Sequence, residues 1–212
     1  MRRAEFVNKE YYHIFNRGVD RRIVFADKWD LDRFFQSMIE FNTLEPIGSI
    51  YENSFRKDPL GSFAPKSQKK LVDFICYCLN PNHYHFILSP LADKGIEKFM
   101  HKIGGGYTNY FNEKHERTGS LFQGVFKAIH IDSNEYLLHL SAYINLNNKI
   151  HSLGSEAPKS SWKEYIGDKQ ANFCNKKIIL GQFKNQSEYK KFAGDSLVDI
   201  KQRKDIEKLL LE

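Results

Sequence analysis

The sequence predicts an α+β fold: a split βαβ arrangement with an antiparallel sheet and helices on one face, followed by a mostly helical C-terminal extension. Three observations predict it. Short apolar segments with alternating character recur along the first 131 residues. Two of them flank Asn80-Pro81-Asn82, a turn so short that its arms must pair as an antiparallel hairpin. Segments with helical spacing separate the others, giving the order strand, helix, strand, strand, helix, strand, helix.

Tyr11 to Arg17 alternates and stops at Gly18, which reads as the first strand. Asp27 is placed to cap a helix through about Glu45, with Leu31, Phe34, Phe35, Met38 and Phe41 at helical spacing. Residues 44–69 are rich in Pro, Gly, Ser and charge and read as a long loop or insertion. Lys70 to Leu79 is the second strand, and the arm carrying His83 and His85 runs to about Pro90. Asp93 to Arg117 is expected to be helical, with Ile96, Phe99, Met100 and Ile103 on one side. Gly104-Gly105-Gly106 favours a break in that helix, because each glycine costs about 1 kcal/mol relative to alanine. Leu121 to Ile131 reads as a strand, and Asp132 with Glu135 resembles a capping box opening a helix to about Asn147. A final helix is expected from about Ser196, with Leu197, Ile200, Ile206, Leu209 and Leu210 as its apolar positions. Residues 1–150 thus form one domain, and 151–212 an extension packed on it.

The chain has 212 residues, 41% of them hydrophobic and 27% charged, which is globular rather than disordered composition. No apolar run approaches the roughly 20 residues of a membrane helix, so the chain is expected to be cytoplasmic, with no membrane partner. Cys76, Cys78 and Cys174 make no disulfide framework and read as buried thiols. A net charge of +6 permits a polyanionic partner.

The chemistry begins at His83-Tyr84-His85. Alternate residues of a strand share a face, so the two imidazoles point together and Tyr84 points away. Paired neutral imidazoles on a rigid strand are two legs of a divalent-metal site. Tyr143 and Asn147 lie one turn apart on one face of a predicted helix. If that face covers the hairpin, Asn147 supplies a third, oxygen ligand and Tyr143 brings its hydroxyl beside the ion. A zinc site made of Cys76, Cys78, His83 and His85 is the weaker alternative, because Cys-x-Cys is a poor match to zinc-ligand spacing. Ile87 stands where a third alternating histidine would make a histidine-triad hydrolase. His13, His101, His115, His130, His139 and His151 read as surface or helix residues.

Several segments together resemble the IS200-like single-tyrosine transposases, in the branch associated with repetitive extragenic palindromes. They are Phe15-Asn16-Arg17-Gly18, Leu79-Asn80-Pro81-Asn82-His83-Tyr84-His85, Tyr110-Phe111-Asn112, Arg117 to Gly124 and Tyr143-Ile144-Asn145-Leu146-Asn147, with a weaker match at Ser161 to Tyr165. The resemblance implies a ferredoxin-like core and an HUH motif (histidine, bulky residue, histidine) at His83-Tyr84-His85. It implies magnesium or manganese held by His83, His85 and Asn147. It implies Tyr143 as the catalytic nucleophile, cleaving and rejoining single-stranded or hairpin DNA through a 5′-phosphotyrosine. Monomer and homodimer both occur among such proteins. Arg17, Lys98, Lys102, Arg117 and Lys127 are candidate DNA contacts, and read equally well as a solvated basic face. Two positions depart from the family pattern: Asn148, followed by Lys149-Ile150, stands where the family commonly has a proline before a basic residue, and Val125 replaces an arginine. The alternative function is a domesticated protein that binds structured DNA without mobilising it. A metal phosphodiesterase with no covalent intermediate is a more distant option.

Overall fold

The computed structural model describes residues 5–51, 69–147, 159–167 and 172–209, with side chains through residue 199. Most of the expected 44–69 loop (residues 52–68) and the Asn148-Lys149-Ile150 segment lie outside the described residues. Five strands form one sheet in the order β4-β1-β3-β2-β5. They are β1 (Tyr11–Arg17), β2 (Val72–Asn80), β3 (His83–Pro90), β4 (Lys127–Ile131) and β5 (Lys159–Ser160). Every neighbouring pair is antiparallel. The central four strands have the split βαβ order, because β1 inserts between β4 and β3 while β2 and β3 stay joined as the hairpin.

The two helices of the split βαβ core share one face of the sheet, and the helices that follow β4 cover the other. α1 (Lys28–Glu40) and α2 (Gly95–Lys114) cover one face, where Phe34, Met38, Phe74, Tyr84, Phe86 and Phe99 form a buried cluster. α3 (Asn134–Asn145) and α6 (Gln186–Leu209) cover the other, over Ile75, Cys76, Cys78 and Ile87. The physical reason lies in the hairpin. From Phe74 to Asn80 every residue of β2 is buried, and a strand buried on both sides needs a cover on both sides. Between α3 and α6 come two single-turn helices, α4 (Trp162–Tyr165) and α5 (Lys177–Leu180).

Local chemistry fixes the element ends. Asp27 caps α1 by accepting from the Asp30 N–H at 2.9 Å, as expected. The cap of α3 is Ser133 rather than Asp132, its hydroxyl accepting from Tyr136 N–H at 3.2 Å. α2 runs unbroken through Gly104-Gly105-Gly106, against the expected break. A Cβ on Gly106 would come within 2.7 Å of the Phe41 ring, so this glycine lets α2 seat closely on the end of α1. β4 begins at Lys127, later than expected, because Gly124 turns the chain with φ 66° just before it. The segment before β4 instead joins β1 through Gln123 N–H to Arg17 O at 2.8 Å.

The extension begins as part of the sheet. β5 pairs with the outer edge of β2, and the Ser161 hydroxyl accepts from Tyr77 N–H at 3.0 Å. Tyr165 donates to Ile75 O at 2.8 Å. α6 starts at Gln186, ten residues before the expected position, and buries Tyr189 against Ser141 and Asn145 of α3. Among the described residues no helix is long and apolar enough to cross a membrane.

A candidate metal and nucleophile site

The strand register decides which side chains share the α3 face. His83 stands opposite Arg17 and Asn80, and His85 opposite Phe15 and Cys78. Ile87 stands opposite His13 and Cys76. Directly opposed residues point to the same side, so these form one surface. α3 lies over it and brings its C-terminal end to the His83 end of β3. Tyr143 and Asn147 therefore meet the histidines within one chain. The Tyr143 ring stands edge-on to His85 with centroids 5.7 Å apart. Asn147 Oδ1 lies 3.3 Å from His83 Nε2. The sequence-predicted set of His83, His85, Tyr143 and Asn147 is thus brought together.

Hydrogen bonds set the state of each imidazole. Asn80 Nδ2 lies 2.9 Å from His83 Nε2 and, as an amide donor, requires a lone pair there. The proton of His83 is then on Nδ1, which donates to Asn82 Oδ1 at 2.6 Å. His85 Nδ1 is 2.9 Å from His13 Nε2. When His85 donates in that pair, its Nε2 keeps the lone pair that a cation needs. His13 is buried, and burial lowers its pKa to about 4, so it is a neutral partner. The reading of His13 as a surface or helix residue is corrected: it sits on β1 beneath the site.

The donor set, two imidazoles and one amide oxygen, is one that a divalent ion can take while keeping open positions. Asn147 is fully buried, with its oxygen turned toward His83. Its Nδ2 has no hydrogen-bond partner of normal geometry. That orientation lets Oδ1 accept from Asn80 Nδ2 at 2.6 Å and places the oxygen inside the cluster. Among the described residues no three His, Cys, Asp or Glu side chains converge as a metal-binding group, so any such site here depends on the carboxamide. The zinc alternative loses its basis. Cys76 stands opposite Ile87 rather than a histidine, and the two thiols and two imidazoles do not converge as one ligand group.

Burial also raises the pKa of Tyr143, contact with the Asn147 amide partly offsets it, and Cys78 raises it slightly. The phenol is therefore neutral at neutral pH, and an attack by its oxygen depends on activation of the group attacked. Of the candidate phosphate contacts, two share this face. Arg17 lies beside His83, its Nε donating to Gln123 Oε1. Lys127 sits next to Phe15, with Nζ 6.0 Å from the ring centre. The other three are elsewhere. Lys98 and Lys102 lie on α2, on the opposite side of the sheet, where Lys102 donates to Thr43 O at 2.7 Å. Arg117 braces its own loop through Asn112 Oδ1 at 2.6 Å and Ser120 O at 3.3 Å.

Sequence reasoning missed His13, Asn80 and Asn82 as parts of the site. Asn80 and Asn82 carried a visible signal, since they flank the turn next to His83, but were read only as turn formers. His13 carried none, because its partner is 72 residues away.

Fold and site together define a class: an antiparallel α+β protein that presents two imidazoles, a carboxamide and a phenol on one face of its sheet. Comparison with known proteins gives a family match over part of the chain. Residues 48–147 match the family model described as "Transposase IS200 like". The match contains the histidine hairpin, Tyr143 and Asn147. A solved structure of a REP-associated tyrosine transposase bound to a REP hairpin shares the fold, with a TM-score of 0.54 at 13% identity. The alignment covers 82% of this chain and 88% of that one. No curated protein matches the sequence.

Proposed function

We propose that this protein cleaves and rejoins single-stranded DNA at hairpin-forming sites, with Tyr143 as the nucleophile. The observation that carries the proposal is the placement of the Tyr143 ring against His85, with Asn147 reaching His83 from the same helix end. In the forward step the Tyr143 oxygen bonds to the scissile phosphorus and the bond to the 3′ oxygen breaks. The phenol proton leaves to solvent or to that 3′ oxygen. The strand ends as a 5′-phosphotyrosine and a free 3′-hydroxyl, and the reverse attack by a 3′-hydroxyl reseals it.

His83, His85 and Asn147 would hold Mg2+ or Mn2+. The ion, when bound, polarises the scissile phosphate and offsets the charge that develops on it. The protein's own residues do the rest. His13 and Asn82 fix the imidazole tautomers, α3 aims the phenol, and Arg17 and Lys127 supply positive charge at the mouth of the site. A hairpin substrate is favoured because the structural neighbour was solved on one.

The test is incubation with end-labelled hairpin oligonucleotides and Mn2+, followed by denaturing electrophoresis. A protein–DNA adduct that is absent in Tyr143→Phe supports the proposal. An adduct retained by Tyr143→Phe overturns the nucleophile. Cleavage without any adduct points to a phosphodiesterase, and binding without cleavage to a structured-DNA-binding protein.

A further inference from the structure

β2 ends at Asn80, whose side chain is fully buried on the same face as His83. Its Nδ2 lies 2.9 Å from His83 Nε2 and 2.6 Å from Asn147 Oδ1, and those two atoms are 3.3 Å apart. One atom each from β2, from β3 and from Asn147, just past the end of α3, thus makes a small triangle. Around an octahedral Mg2+, with bonds of about 2.1 Å, neighbouring ligand atoms are about 3.0 Å apart. The triangle therefore has the size of one octahedral face, and Asn80 stands at its third corner.

The amide nitrogen at that corner donates its two N–H groups to the two lone pairs that face it. A cation would need the same two lone pairs, so the nitrogen and the ion cannot both use them. The other end of the amide already has an accommodating neighbour: Asn80 Oδ1 lies 3.5 Å from Cys78 Sγ. A thiol is a weak donor and its sulfur a weak acceptor, so it tolerates either end of the amide.

We propose that Asn80 is a further ligand of the divalent cation. On ion binding its amide turns over, placing Oδ1 where Nδ2 now lies and Nδ2 against the Cys78 sulfur. Without the ion, the same side chain holds His83 Nε2 and Asn147 Oδ1 at ligand spacing. The site then has four protein donors (His83, His85, Asn147 and Asn80) and leaves two octahedral positions for phosphate oxygens or water. This rests on the reading of His83 and Asn147 as ligands. The cluster is therefore built by both arms of the hairpin, and not by the histidine arm alone.

The test is a direct Mn2+ titration of the full chain, without DNA, following the loss of the free-ion electron paramagnetic resonance signal. Wild type, Asn80→Ala, Asn80→Asp and His83→Ala are compared, with circular dichroism confirming the fold of each. Asn80→Ala is expected to bind about tenfold more weakly or worse, the scale on which lost metal-site groups act. Asn80→Asp puts an oxygen at the same corner and is expected to bind at least as tightly as wild type. A residue that served only as a hydrogen-bond brace behaves oppositely, since aspartate has no N–H to offer and repels Asn147 Oδ1. Asn80→Asp weaker than wild type, or Asn80→Ala unchanged, overturns the proposal. If Asn80→Ala does not fold, the comparison of Asn80→Asp with wild type decides alone. Unchanged Mn2+ affinity in His83→Ala overturns the underlying metal site instead, and so separates the two failures.

Discussion

The two faces of the sheet are built from different materials. Under α1 and α2 the contacts are ring on ring: Phe34 packs edge-on to Tyr107 at 4.8 Å, and Phe74 does the same to Phe86 and Phe99 at 5.4 Å. Under α3 the sheet buries polar groups as well, and they bond mostly to one another: His13 with His85, Asn80 with His83 and Asn147, and Asn145 with Ser161. Burying that much polarity costs free energy unless each group is satisfied, so it persists where it holds a fixed arrangement. One face thus supplies stability, and the other spends some of it on positioning.

That division is open to attack from either side. The largest stability effect is expected on the aromatic face. Phe34→Ala removes a fully buried ring and should cost about 3–5 kcal/mol in urea unfolding, while the molecules that remain folded bind Mn2+ as wild type does. A comparable loss of ion affinity there would break the separation. On the polar face the order should invert. His13→Ala is expected to weaken Mn2+ binding by about tenfold, measured calorimetrically, because His85 loses the partner that fixes its tautomer.

The glycine run sharpens the picture within α2. Gly106→Ala drives a Cβ to 2.7 Å from the Phe41 ring and should destabilise by about 1–3 kcal/mol. Gly105→Ala meets nothing within 4 Å and should stabilise by about 0.5–1 kcal/mol, with both shifts read from thermal unfolding. The smallest effect concerns Asp27, whose pKa is lowered mainly by its hydrogen bond from Lys114, with burial opposing. A depressed carboxyl pKa adds stability that is present above the unfolded value of 3.8 and is lost as pH falls through the lower folded value. Asp27→Asn keeps a capping oxygen but should flatten the acid limb of a stability–pH curve below 3.8.

What could be read from the sequence was local. Period-two alternation placed β1 and the hairpin, helical spacing placed α1 and α3, and the interval from Tyr143 to Asn147 gave one face of one turn. Those same signals picked out His83, His85, Tyr143 and Asn147, which the fold brings together. What escaped was set by contacts distant in sequence. Nothing near His13 shows that β1 will lie beside β3, and nothing in α2 shows that Lys98 and Lys102 will face away from the histidines. The unbroken α2 is a similar case, since packing against Phe41 outweighs the low helix propensity of Gly106. α6 was placed late because Tyr189 and Ala193, which bury its first turns, stand among Lys190, Lys191 and Asp195.

The polar face exists, on this account, to aim one phenol at a phosphate. The most direct measurement is to react the protein with a hairpin oligonucleotide and Mn2+, trap the adduct by denaturation, digest it and sequence the nucleotide-bearing peptide by mass spectrometry. The nucleotide is predicted on Tyr143, joined through its 5′-phosphate. A nucleotide on any other residue, or a trapped 3′-phosphate linkage, would contradict the assignment.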